Sequence, residues 1–383
     1  MIFSFKCNSF LTTLFIFLLF QFTNAQKMFI YIGSYTDDLK GKGIYVYEFN
    51  EGTGELSKIQ VVDNIVNPSF LKLNAGGDLL FTVSESQLQV PGKIASFSRD
   101  ATSGKLSFIS TVNSEGRNPV HLSLNKEEDY LVNANYTDPS ITLYPITGHG
   151  ILNSSVQKIS FTKPGSGVVT DRQGQAHIHS SDFTPDENYL LVQDLGSDKI
   201  YSFQFDKNDQ TPLKMLKSAQ FDAKPGAGPR HFTFHPNGRY AYGVAELNGM
   251  VSVFTYNEGR LNFQSDILSY QKKQDLYRTA DIHCSFDGKF LYVSNRGPKE
   301  DSITIFEIDQ KDGDLKVVGR EPTYGEHPRN FAVSKSGKFV IVANQFSNNV
   351  VLFKRDAQTG LLARLPYEIN VHAPSSVQIF EAE

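Results

Sequence analysis

The residues best suited to chemistry come in pairs along the chain. Arg230 and Glu246 flank a run that reads as a strand, a tight turn at Pro236-Asn237-Gly238 and a second strand. The ends of an antiparallel hairpin meet at one edge of the sheet, so this guanidinium and carboxylate become neighbours. The same segment recurs with other residues in its two slots. The opening slot holds Ser69, Val120, His179, Arg230, Ala280, Arg329 and Ser375, and the closing slot holds Glu85, Asn135, Asp194, Glu246, Asn295, Asn344 and Ser34. Arg296 directly follows Asn295. Arginines bind carboxylate or phosphate bidentately and stabilise a developing oxyanion. A histidine or glutamate can take a proton from water. Gathered at one place, these groups are equipped to open an ester or lactone without a covalent intermediate. The base is His179 or Glu246, and residue types alone leave that choice open. Glu85, Asn135, Asn295, Asn344 and Arg329 are candidate substrate contacts. Asn135, Asp194 and Ser34 also fit a plainer role, because such residues commonly end strands.

Competing chemistries leave no trace. The chain has no Gly-Xaa-Ser-Xaa-Gly elbow, no His-Glu-Xaa-Xaa-His helix, no phosphate-binding loop and no dinucleotide fingerprint, so no cofactor is expected. His177-Ile-His179 is the closest histidine pair. On a regular strand both would share a face, but no further ligands accompany them, and no metal is expected. His177 is therefore placed with the substrate contacts. His121, His231, His235 and His283 read as structural partners within or between repeats. Asp171-Arg172-Gln173 lies on a long connection, either covering the site or solvated.

The elements that must position these groups follow from the repeat. Segments opening at Asn67, Asn118, His177, Gly228, Thr279 and His327 return at a spacing of roughly 50 residues, the range of propeller blades. Between them lie alternating runs such as Gly43-Ile-Tyr-Val-Tyr-Glu-Phe49 and Ile303-Thr-Ile-Phe306, most of them followed by a Gly-containing turn. Four antiparallel strands per repeat make a blade. Pro374 to Phe380 looks like a first strand lacking its second, and Met28 to Ser34 like a second lacking its first. Joined, they complete a seventh blade and remove the open edges. The expected architecture is an all-β, seven-bladed propeller over residues 26–383, its ring closed by pairing the N- and C-terminal strands.

Composition agrees. Charged residues at 20% and hydrophobics at 40% describe an ordinary globular chain, and 30 Phe with 17 Tyr favour β-structure. A net charge of −4 without any basic tract excludes nucleic acid as a partner. Residues 1–25 read as a secretory signal: Lys6, a nearly continuous apolar run from Phe10 to Phe22, and small residues ending at Ala25. The run is short for a membrane span. The expected location is periplasmic or extracellular, with no integral membrane segment after signal removal. Cys7 falls within the signal, leaving Cys284 alone, so no internal disulfide is expected.

These motifs resemble the propeller-type lactonase family, the 6-phosphogluconolactonase-like propellers, which have the fungal carboxymuconate-lactonizing enzymes as relatives. The resemblance is carried by Gly33-Ser-Tyr-Thr36, Asn67-Pro-Ser-Phe70, Ala134-Asn-Tyr136, His177-Ile-His179, Asp194-Leu-Gly-Ser-Asp198, Gly226-Ala-Gly-Pro-Arg-His231, Glu246-Leu247, Ser294-Asn-Arg-Gly297, Pro328-Arg329 and Ala343-Asn-Gln345. It implies a metal-independent catalytic set on His179, Arg230, Glu246 and Arg296, with the histidine favoured for proton transfer. It also implies hydrolysis of a small-molecule sugar-acid lactone. Thr137-Asp-Pro-Ser140 follows Ala-Asn-Tyr where the family is often Gly-rich, so the substrate rim is expected to differ. The alternative expectation is a non-catalytic exported propeller that binds an anionic saccharide or a protein partner.

Overall fold

Alternating apolar runs, each stopped by a glycine or asparagine turn, pair with their sequence neighbours into seven antiparallel sheets. The computed structural model describes residues 27–85 and 90–382, and five of the sheets have four strands. The outer strand is broken in the other two blades. One carries Ile151–Leu152 and Gln157–Ser160, and the next Leu213–Met215 and Phe221–Asp222, separated by a short 3-10 turn at Lys217–Ala219. The termini close the ring as expected: Lys27–Ser34 pairs antiparallel with Pro374–Glu381, Met28 opposite Glu381 and Gly33 opposite Ser376. The signal-peptide reading over residues 1–25, with Cys7, lies outside the described residues. Cys284 is a free thiol at the edge of a core cluster, and burial pushes its pKa up.

Among the described residues the apolar side chains form seven clusters. Each apolar cluster is shared by two adjacent blades; Phe29 and Tyr31, for example, pack against Leu71, Leu80 and Phe97 of the next blade. The interfaces repeat one device. Tyr31, Tyr242 and Tyr292 send their hydroxyls to the carbonyls of Gly104, Gly313 and Gly360 in the following blade, at 2.9, 2.9 and 2.8 Å. Those glycines have φ between +69° and +80°, and a Cβ on any of them would come within 2.5 Å of an aromatic ring. The Gly turns read from the sequence are thus docking points for the neighbouring blade as well as reversals.

The first strand of each blade lines the axis, and here the register matters. A residue is skipped at the start of the innermost strand in six blades, at Val120, His179, Arg230-His231, Ala280-Asp281, Arg329 and Ser375. A bulge of this kind breaks the alternation and re-aims a side chain. It turns Val120, His179 and Arg329 toward one mouth of the channel.

The opposite mouth holds a second polar cavity of about 280 Å³, with Lys72, Asp182, Asp281 and His283 among its walls. Burial pushes the Asp182 carboxyl up to about 7 against the pull of Lys72, with Asp281 adding repulsion. The folded chain therefore keeps a proton that the unfolded chain releases above a pH of about 4. This group's contribution to stability falls as pH rises from about 4 through 7. Asp182→Asn is expected to flatten that part of the stability profile, read from urea midpoints between pH 4 and 8. An unchanged slope would show that another group titrates.

Candidate functional site: an arginine-rich channel mouth

Glu246 follows the second strand of its blade and is almost wholly buried. Three guanidiniums meet its carboxylate: Arg172 at 2.7 Å on Oε1, and Arg230 at 2.8 Å and Arg296 at 3.1 Å on Oε2. Burial alone would raise its pKa, but Arg296, Arg172 and Arg230 hold it well below the usual carboxylate range. Arg230 also donates to the carbonyl of Ala280 in the next blade. Its own pKa is drawn down to about 9 by burial and by Arg296, which leaves it cationic at neutral pH.

Each partner is fixed by the local fold. Gly228, with φ of +68°, lets the chain turn sharply into Pro229-Arg230, and a Cβ there would meet Leu247 at 2.7 Å. The Asp198 carboxylate accepts the amides of Gly226 and Gly228, both at 2.7 Å, and the side-chain amide of Gln173 at 2.8 Å. One carboxylate thus anchors both the strand entry carrying Arg230 and the connection carrying Arg172. Arg296 donates to the Arg278 carbonyl at 2.9 Å and to Nε2 of His327 at 3.1 Å. His327 stacks on Phe346, and burial with Arg296 and Arg329 pushes its pKa down to about 2, so it accepts as a neutral ring.

The cavity above these groups measures about 580 Å³. Arg172, Arg278, Arg296 and Arg329 line it together with His179, Glu246 and Tyr136. On the far wall Tyr35 donates to Glu85 at 2.8 Å, and Arg329 lies over the Tyr35 ring at 5.6 Å. His179 is 5% exposed, and burial, Arg230, His231 and Arg329 hold its pKa well below the ordinary histidine value. The site therefore presents a neutral imidazole in a field of cations, with two buried carboxylates, Glu246 neutralised by three guanidiniums and Glu85 paired with Tyr35. Among the described residues no three His, Cys, Asp or Glu side chains converge as metal ligands.

Comparison with known proteins gives the family. The family model described as lactonase, 7-bladed β-propeller, matches residues 29–379. The chain belongs to this family. A Formosa agariphila 6-phosphogluconolactonase is 49% identical over 351 residues, covering 92% of this chain and 99% of the relative. The Bacillus subtilis 6-phosphogluconolactonase is 33% identical over 353 residues, covering 91% and 97%. Among solved structures, the Pseudomonas aeruginosa periplasmic gluconolactonase superposes with a TM-score of 0.86 at 33% identity, covering 92% of this chain and 99% of that one. The chain is accordingly a 6-phosphogluconolactonase-like lactonase, a carboxylic-ester hydrolase.

In this lactonase the residues singled out from sequence separate into three groups. His179, Glu246, Arg296, Arg329 and Glu85 reach the cavity. Arg230 lies beneath it, 2% exposed and turned toward Glu246 rather than toward a bound molecule. His177, Asn135, Asn295 and Asn344 are not among the lining residues. Asn135 donates to the Ser114 carbonyl, Asn295 to Thr304, and Asn344 to the Thr323 carbonyl, all at 2.9 Å. They tie strand ends to neighbouring strands or loops. His177 bonds the Tyr136 carbonyl at 3.0 Å and stacks on one face of the Tyr136 ring, whereas His179 meets that ring edge-on. The bulge at His179 ends the alternation that would have given the two histidines a common face.

Tyr35, Tyr136, Arg278 and His327 were not singled out as site residues. Tyr35 and Tyr136 lie one residue past the closing slot and His327 two residues before the opening slot, so reading the slots one position further forward and two further back would have included them. Arg172, on the long connection, covers the mouth. The departure at Thr137-Asp-Pro-Ser140 is braced by Arg117, which meets Asp138 at 2.7 and 2.9 Å.

Removing one partner of a buried ion pair is costly because the other charge is left uncompensated. Arg230→Ala is expected to destabilise the fold by about 3–5 kcal/mol in chemical denaturation. A loss under about 1 kcal/mol, within the ordinary range for an exposed pair, would show that Arg172 and Arg296 suffice for Glu246.

Proposed function

We propose that this protein hydrolyses a sugar-acid lactone at the arginine-rich mouth, with His179 as the base and without a metal. The observation that carries this is the pairing of a neutral His179 with a Glu246 whose oxygens already hold three guanidiniums. A carboxylate so stabilised is a poor proton acceptor, whereas an unprotonated imidazole facing the cavity is a suitable one. Water attacks the lactone carbonyl and gives its proton to His179. The oxyanion that forms is stabilised by Arg296 and Arg329. Collapse breaks the ring C–O bond, and the leaving alkoxide takes the proton back from His179. Arg172 and Arg278 hold the hydroxyl-rich or anionic remainder of the substrate, and Arg230 acts through Glu246.

The apolar N-terminal segment supports export, and an exported enzyme favours an aldonolactone over the 6-phosphate ester. The Pseudomonas aeruginosa neighbour is a periplasmic gluconolactonase. Turnover of gluconolactone and of its 6-phosphate by purified protein compares the two substrates.

His179→Ala is expected to lower kcat by on the order of 10²–10⁴-fold while leaving the melting curve nearly intact. Undiminished turnover in that variant would reject His179 as base. Saturable binding across a lactone panel with no turnover by the parent protein would favour a binding role for the mouth.

A further inference from the structure

Three histidine rings meet below the cavity. The His231 ring lies 5.2 Å from that of His179 and 5.5 Å from that of His121, edge to face in both cases. Two ring nitrogens in this cluster are buried without a partner: Nδ1 of His179 and Nε2 of His231. Neither His231 nor Asp281 lines the cavity where His179 is exposed.

The remaining nitrogen of His231 fixes the chemistry. Its Nδ1 lies 2.7 Å from Oδ1 of Asp281, a residue of the bulge in the next blade. Asp281 is surrounded by donors: the amide of Ile282 at 3.0 Å, the amide of Phe331 at 3.2 Å, Nδ2 of Asn330 at 2.5 Å and Nε2 of His283 at 2.9 Å. Burial would raise its pKa, but His283 and His231 hold it well below the ordinary value. An ionised carboxylate only accepts, so the neutral His231 must carry its proton on Nδ1, leaving a lone pair on Nε2. His231 is neutral because burial and Arg230 draw its pKa down to about 4. That lone pair has no partner in this structure, and the neighbouring His179 ring, its centre 5.2 Å away, likewise has one unpartnered buried nitrogen, Nδ1.

We propose that Asp281 and His231 are positioning residues that hold His179 in its Nδ1–H tautomer, so that its Nε2 lone pair faces the cavity. The chain of constraint runs from an acceptor-only carboxylate through one imidazole to the next. When Nε2 takes the proton from water, the imidazolium keeps its Nδ1–H toward His231, whose Nδ1–H stays on Asp281. The Nε2 proton then leaves with the alkoxide, and no net proton passes along the row. In this way a base encircled by arginines has an anion to balance its transient charge, one ring removed. The proposal rests on the assignment of His179 as base, but its primary test does not.

Nitrogen-15 NMR of histidine-labelled protein reads both tautomers directly. In the parent protein His179 and His231 are each expected as Nδ1–H. His231→Phe keeps a ring in the cluster but removes the acceptor. It is expected to populate the Nε2–H form of His179 and to lower kcat by at least about 10²-fold with KM unchanged, the signature of a wrongly held tautomer. His231→Gln keeps a donor for Asp281 and an acceptor for His179, and is expected to recover part of that loss. A parent His179 found as Nε2–H overturns the proposal, and needs no variant to fold. So does a His231→Phe protein in which the His179 tautomer or kcat is unchanged. Undiminished turnover in His179→Ala would instead remove the base assignment while leaving the tautomer result standing.

Discussion

The architecture of the mouth depends on the carboxylate of Glu246. A buried anion is tolerated only when it is paired and fully hydrogen-bonded, and three guanidiniums from different parts of the chain meet that requirement here. Arg230 comes from the same blade as Glu246, Arg296 from the next blade, and Arg172 from a connection laid over the top. Through Arg296 the constraint passes to His327 in a further blade. Positions far apart in sequence are thus held in one electrostatic unit. The cost of leaving any one of these charges alone ties the geometry of the mouth to the integrity of the ring.

The second constraint is one of register. A propeller needs only that inner strands pair with their neighbours, and a regular strand would do this while sending alternate side chains into the blade interfaces. The extra residue at the start of six inner strands changes that. It frees a side chain from the ladder next to the channel mouth, and His179 and Arg329 reach the cavity from such positions. The same irregularity places Asp281 where it can accept from His231 of one neighbouring blade and Asn330 of the other. Bulges in this fold serve both the site and the contacts between blades.

How far sequence could lead follows from these two constraints. The repeat, the Gly turns and the orphan strands at each end were legible because each blade must bury the same apolar pattern. Ring closure by Lys27–Ser34 and Pro374–Glu381 followed from that pattern. Slot spacing also brought His179, Glu246, Arg296, Arg329 and Glu85 to one mouth. It could not separate a lining arginine from a supporting one. Arg230 and Arg329 occupy equivalent slots, and only the partners around each decide that Arg230 turns down to Glu246 while Arg329 faces the cavity. Asn135, Asn295 and Asn344 show the same limit, since an amide at a strand end suits a backbone carbonyl as well as a ligand. Arg172 has no counterpart in other repeats, so periodicity carried no information about its partner. His231 read as a structural partner within or between repeats, and the tautomer argument needs the position of Asp281, contributed by a strand of the next blade.

A site crowded with arginines looks ill suited to a base that must accept a proton, yet on the proposed mechanism the crowding does two jobs. In the resting state burial and, after it, the cations oppose protonation of His179, so its lone pair is available at neutral pH. As water attacks, negative charge appears on the former carbonyl oxygen in the same cavity, and the same cations stabilise it. The oxyanion in turn offsets the field that kept His179 neutral, so the imidazolium and the oxyanion stabilise each other as they form. A free carboxylate beside His179 would raise the resting pKa of the base and repel the oxyanion. Glu246 does neither, because its charge is neutralised by three guanidiniums. Asp281 stands behind a second ring, close enough to orient the row and too far to compete with the oxyanion for the cavity arginines.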